Sequence, residues 1–147
     1  DCSHERSACH GLESALRGGL LPALRVLVLE RARLRAELAA ALHGTGVEEV
    51  VLDRGGLAED NAAEALGAAL CHMPRLRRVR TQQVTFGTAG VVGMARALAA
   101  GPVPPQLQQV HLLGCGYLSR DDVAATRLAA QSLGTTGWAG VRLLRVE

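Results

Sequence analysis

The sequence predicts an α/β solenoid: about four to five strand-turn-helix units, with a parallel β-sheet on the concave face of an arc and helices on the convex face. Three observations predict it. An apolar frame returns several times along the 147 residues, and Ala- and Leu-rich stretches with helical spacing separate its copies. The interior must also be built almost without aromatics, since one Trp, one Tyr and one Phe stand among 48% hydrophobic residues. Thin stacked layers of Leu, Val and Ala suit that composition. The length is that of one ordinary domain, 1–147, with room for a real core.

A first helix is predicted over about Leu12 to Leu20. The first strand follows as Leu24-Arg-Val-Leu27-Val-Leu29, and with Leu34 it places apolar residues at positions 1, 4, 6 and 11 of a unit. That is the pattern L-x-x-L-x-L-x-x-N/C-x-L of leucine-rich repeats, which close into a horseshoe arc. The frame returns at Val47, Val50, Leu52 and Leu57; at Leu76, Val79, Thr81 and Phe86; at Leu107, Val110, Leu112 and Tyr117; and, truncated, at Val141, Leu144 and Val146. Successive starts lie 23, 29, 31 and 34 residues apart, against a usual period of about 20–29; the longer intervals read as loop insertions.

Between the strands, helical spacing centres on Leu38 and Leu42, Leu66 and Leu70, Met94 and Leu98, and Leu128 and Leu133. Pro22, Pro74 and the Pro102, Pro104, Pro105 run fall just before the next strand, where proline stops a helix and sets an extended approach. Gly44 and Gly101 stand where a left-handed helix end is expected. A parallel strand with a helical crossover cannot bury its own apolar face, so each unit leans on its neighbours. Helices are wider than strands, which puts the helices on the outer arc.

The stretch Phe86-Gly-Thr-Ala-Gly90-Val-Val-Gly-Met94-Ala-Arg-Ala-Leu98 resembles the turn-Gly-helix link of the ribonuclease-inhibitor class of leucine-rich repeats, the kind found at the sensor ends of NOD-like innate immune receptors. The resemblance runs from about Gly11 to Glu147 and rests on spacing. It implies a cytoplasmic ligand-sensing module for protein-protein interaction, the sensor or autoinhibitory end of such a receptor. Its concave face would hold a protein partner or another domain of the same receptor. A scaffold, an inhibitor or a GTPase regulator is the alternative that the class also allows. One departure stands out: position 9, usually Asn or Cys, reads Ala32, Gly55, Val84 and Cys115. The first three turns must therefore satisfy their backbone by other means. The array opens on a helix and stops on a strand without a polar terminal unit. It reads as a fragment of a larger protein, and the isolated chain is expected to pair end to end with a second copy.

In each strand positions 4 and 6 face the core, so positions 3, 5 and 7 face the inner surface. Position 3 reads Val26, Glu49, Arg78, Gln109 and Leu143; position 5 reads Val28, Val51, Arg80, His111 and Arg145; position 7 reads Glu30, Asp53, Gln82, Leu113 and Glu147. The candidate binding residues are Val26, Val28, Glu49, Val51, Arg78, Arg80, Gln109 and His111. The valines form an apolar spot of the kind that marks contact surfaces, although β-branched residues also simply suit a strand. Arg78 and Arg80 suit an acidic ligand, although Glu48 and Glu49 fall beside Arg77 and Arg78 and offer cross-strand pairing instead.

Sixteen Arg plus Lys against fourteen Asp plus Glu leave a net charge of +2, far from the cationic footprint of a nucleic-acid binder. Phe86 and Tyr117 are assigned to the turn core and Trp138 to a loop plug, leaving no stacking platform for bases. Nucleic acid is not an expected partner. No stretch approaches the roughly 20 apolar residues of a membrane span, and no secretory signal opens the chain. Cys2, Cys9, Cys71 and Cys115 have neither disulfide-framework nor zinc-ribbon spacing, which points to a reducing compartment. The Cys2, His4, Cys9, His10 group has soft-ligand chemistry without the spacing of a metal site and is read as a solvated, fraying end. His43, His72 and His111 are placed in different copies on different faces, and His111 between Arg80 and Arg145. No nucleophile-base pair, phosphate loop or carboxylate pair is visible. No enzymatic role, cofactor or metal is expected.

Overall fold

The computed structural model describes residues 2–57, 59–114 and 141–144, with side chains for 10–57, 59, 61–87 and 89–110. Its elements are α1 (Cys2–Arg17), β1 (Val26–Glu30), β2 (Arg33–Leu34), α2 (Ala36–Ala41), β3 (Glu49–Asp53), β4 (Gly56–Leu57), α3 (Asp60–Cys71), β5 (Arg78–Val84), α4 (Thr88–Ala100), β6 (Gln109–Gly114) and β7 (Val141–Leu144). The molecule is α/β. A five-stranded sheet in the order β1-β3-β5-β6-β7 is parallel throughout, and β2 and β4 form a second, two-stranded parallel sheet.

The apolar frame fixes the register. Leu27, Val50, Val79 and Val110 lie in one rank across four strands, and Leu29, Leu52, Thr81 and Leu112 in the next. Bonds flanking the strands recur at corresponding frame positions. The carbonyl of Arg25 accepts from the amides of Glu48 and Glu49, that of Glu48 from Arg77 and Arg78, and that of Arg77 from Gln108 and Gln109. At the other strand end the Arg31 amide donates to Asp53 and the Arg54 amide to Gln82.

The turns that lack Asn at position 9 are held by backbone instead: Gly56 N–H donates to the Ala32 carbonyl and Thr85 N–H to the Gly55 carbonyl. Position 8 enters the left-handed region in all three of these turns, at Arg31 (φ 52), Arg54 (φ 48) and Gln83 (φ 52), an uncommon conformation for residues with a Cβ. Gly55 is required there, because a Cβ would overlap the Ala32 carbonyl oxygen.

One contiguous core joins strand residues Leu27, Val50, Leu52, Val79 and Val110 to helix residues Leu38, Leu66, Leu70, Met94 and Leu98, with Leu34 and Phe86 filling the turns. All are buried. Burial alternates along the strands, so that one face of the sheet joins the helices and the other lies open. α3 and α4 approach closely at Gly67, whose Cβ would stand 2.9 Å from the Met94 carbonyl oxygen.

The structure corrects three expectations. The first helix covers Cys2–Arg17, not about Leu12 to Leu20. Its opening turns carry no apolar stripe by which to read them, and Gly18 and Gly19 (φ 64) end it early. The backbone of Cys2, His4, Cys9 and His10 thus lies along α1; His10 is exposed and sits 3.9 Å from Glu13. Gly44 is left-handed as expected (φ 72), but Gly101 is extended (φ −102). Glycine is needed at 101 for proximity, since a Cβ there would stand 2.5 Å from the Cys71 sulfur.

The third correction is the register of the last strand. Val141 pairs with Val110, Arg142 with His111, Leu143 with Leu112 and Leu144 with Leu113. The final copy is therefore displaced by three residues, so that Arg142 takes the rank assigned to Arg145 and Leu143 falls in a core rank. Positions 1 and 4 of the frame are themselves three apart, so a truncated copy is ambiguous by that same step. A further irregularity falls between Thr81 and Val84, where β5 holds one residue more than β6. Cys115, Tyr117, Leu128, Leu133, Trp138, Arg145, Val146 and Glu147 lie outside the described residues.

Candidate functional site

On β1, β3 and β5 the open face of the sheet carries the side chains that the frame assigns to positions 3, 5 and 7. β1 supplies Val26 and Val28, and these are 51% and 56% exposed, unusual for valines in the first strand of a packed sheet. Val51 of β3 stands beside Val28 in the register and is half-buried. The apolar spot is therefore real but narrower than the three residues suggest, with Val26 and Val28 its accessible part.

Charge dominates the rest of the face. Glu49 is half-buried on β3, and Arg78 and Arg80 are exposed on β5. Glu49 lies opposite Arg78 in the register, yet its carboxylate is nearer the Arg80 guanidinium, at 3.9 Å. Among the described residues Arg78 has no carboxylate within ion-pair distance. The expected pairing of Glu48 with Arg77 is present at 3.9 Å, and Glu48 also holds Arg25 at 3.4 Å. Gln109 is half-buried beside Arg78, and the backbone of His111 lies beside Arg80; the side chain of His111 is outside the described residues.

Three groups escape a reading of the sequence. Arg54, in its left-handed turn, bridges Glu30 of β1 and Asp53 of β3, closing the upper rim of the face. Glu13 is buried on α1 and pairs with Arg17 at 3.2 Å. His43 and His72, expected on different faces, instead stack with ring centroids 4.6 Å apart. They are 29 residues apart, the interval that also separates Val47 from Leu76, and this equal spacing was the available signal. The His72 Nδ1 lies 3.0 Å from the Ala68 carbonyl oxygen, and the Gly44 amide donates to the His72 carbonyl, tying the two loops together.

Cys71 is buried under α4 with its sulfur 3.8 Å from the Ala97 carbonyl oxygen. Burial pushes its thiol up from 9.0 to about 11, partly opposed by a backbone hydrogen bond, which leaves it a poor nucleophile. Among the described residues no three His, Cys, Asp or Glu side chains converge as a metal site, and no helix is long and apolar enough to cross a membrane. Among the described residues, the open face brings exposed valines and exposed arginines onto neighbouring strands in register. No family model, curated protein or solved structure matches this chain.

Proposed function

We propose that the chain is a leucine-rich repeat solenoid of the ribonuclease-inhibitor-like class, whose open sheet face is the concave, protein-binding surface. In this reading it serves as the sensor or autoinhibitory end of an NOD-like innate immune receptor in the cytoplasm, and is not an enzyme. The supporting observation is the exposure of Val26 and Val28 on a strand whose Leu27 is buried in the core and whose Leu29 packs against it. Such a pair gains free energy only when something covers it, at roughly 25 cal/mol per Å² of apolar surface removed from water. The recurrence of the same flanking backbone bonds between successive strands favours a repeated unit.

The test is capture from cytosol with the purified chain against its Val26→Glu/Val28→Glu variant, both checked for folding by circular dichroism. A defined protein retained by the parent and lost from the variant is the expected result. Equal capture by both would remove the face from consideration. Stimulated GTP hydrolysis by the captured protein would move the reading to the GTPase-regulator alternative.

A further inference from the structure

The corrected register of β7 puts residues together that the sequence kept apart. One rank crosses the whole sheet as Val28, Val51, Arg80, His111 and Arg142. Its first two members are apolar and its last three are basic. The neighbouring rank runs from Val26 through Glu49 to Arg78 and Gln109, adding one more apolar and one more basic residue at the corresponding ends. Across four strand spacings of about 4.8 Å the rank spans roughly 19 Å, about six residues of extended chain.

We infer that this rank is a two-part subsite for a protein segment bearing apolar side chains at one end and a run of carboxylates at the other. The inference rests on the proposed binding face and names the chemistry of its partner. Val26 and Val28 take the apolar end, and Arg78 and Arg80 the acidic end. Guanidinium groups match carboxylates in a planar, two-bond geometry and stay charged at any physiological pH. Glu49 does not forestall this. Its contact with Arg80, at 3.9 Å, is beyond hydrogen-bonding reach, and a pair without a hydrogen bond whose arginine is exposed is easily displaced. The carboxylates of Glu30 and Asp53, which would repel an acidic segment, are occupied by Arg54 at the rim.

The experiment is fluorescence anisotropy with three labelled probes. These are a peptide of two leucines, two glycines and four glutamates; its counterpart with four lysines; and an oligothymidylate of matching charge. The acidic peptide is expected to bind, with affinity falling as NaCl rises. Arg78→Glu/Arg80→Glu, folded by circular dichroism, is expected to weaken it about tenfold or more and to gain the lysine peptide. Val28→Ser, which removes apolar surface without adding charge, is expected to weaken it several-fold without altering its salt dependence. Equal affinity for the acidic and basic peptides, or indifference to the arginine reversal, overturns the inference. So does oligothymidylate binding that matches the acidic peptide and ignores Val28→Ser. If face variants still abolish capture from cytosol while the acidic peptide fails, the binding face survives and only its assigned chemistry falls.

Discussion

At Cys71 and Gly101 a single missing methyl group decides what fits. The sulfur of Cys71 occupies the space that a Cβ at residue 101 would need, so the thiol is sealed beneath α4 and its ionisation is resisted. The consequence for stability has a definite sign. In the unfolded chain the thiol loses its proton near the ordinary value of 9.0, whereas in the folded chain it keeps it to about 11. The unfolded state therefore binds fewer protons across that window, and stability declines as pH rises through it. The chain contains no lysine, and the other thiols and the tyrosine are common to the parent and to the variant that lacks Cys71. Calorimetric unfolding between pH 8.5 and 11 is expected to show a steeper fall in midpoint for the parent than for Cys71→Ala. Parallel declines would show that the thiol is not sealed.

At the scale of the element, helix starts show why part of the fold could not be read in advance. α2, α3 and α4 begin after Arg35, Glu59 and Gly87, all extended and none making a side-chain capping bond. The usual Ser, Thr, Asp or Asn signal is therefore silent, and apolar spacing alone had to locate them. It sufficed for Leu38, Leu66, Leu70, Met94 and Leu98, which are all core residues, and failed for the polar opening of α1. The vacancy at Arg35 also yields a prediction. Its backbone (φ −99, ψ 156) is already suited to a cap, so Arg35→Asp supplies an oxygen to the free amides and a negative charge at the helix start. The substitution gives up the 3.4 Å pair with Glu37, whose other carboxylate oxygen is buried without a hydrogen-bond partner; Arg35→Ala carries the same loss and so isolates the gain from the cap. A stabilisation of about 1 kcal/mol over Arg35→Ala is expected in urea unfolding. No gain for Asp over Ala would mean that these amides already have adequate partners.

The whole molecule was legible where geometry leaves no choice. A strand turns alternate residues to opposite faces, so Val26, Val28, Arg78 and Arg80 were assigned to the open face correctly from phase alone. Pairings on that face were not legible in the same way, because a long arginine side chain can reach diagonally, as Arg80 does toward Glu49. Nor was the phase of the last strand, where too few anchors remained. The sheet order β1-β3-β5-β6-β7 has an energetic corollary. β3 and β5 are hydrogen-bonded on both sides, whereas among the described residues β1 is paired only with β3. On the proposed solenoid reading each unit is supported by its neighbours, so local opening should begin at β1. Native-state hydrogen exchange is expected to protect the amides of Val50 and Val79 more than that of Leu27. Leu66→Ala, at a fully buried position of α3, is expected to cost about 2–5 kcal/mol. That loss should fall on the β3 and β5 amides together, since α3 connects those two strands. Equal protection of Leu27, Val50 and Val79 would instead reveal one cooperative unit without internal gradation, and would count against a chain of neighbour-supported layers.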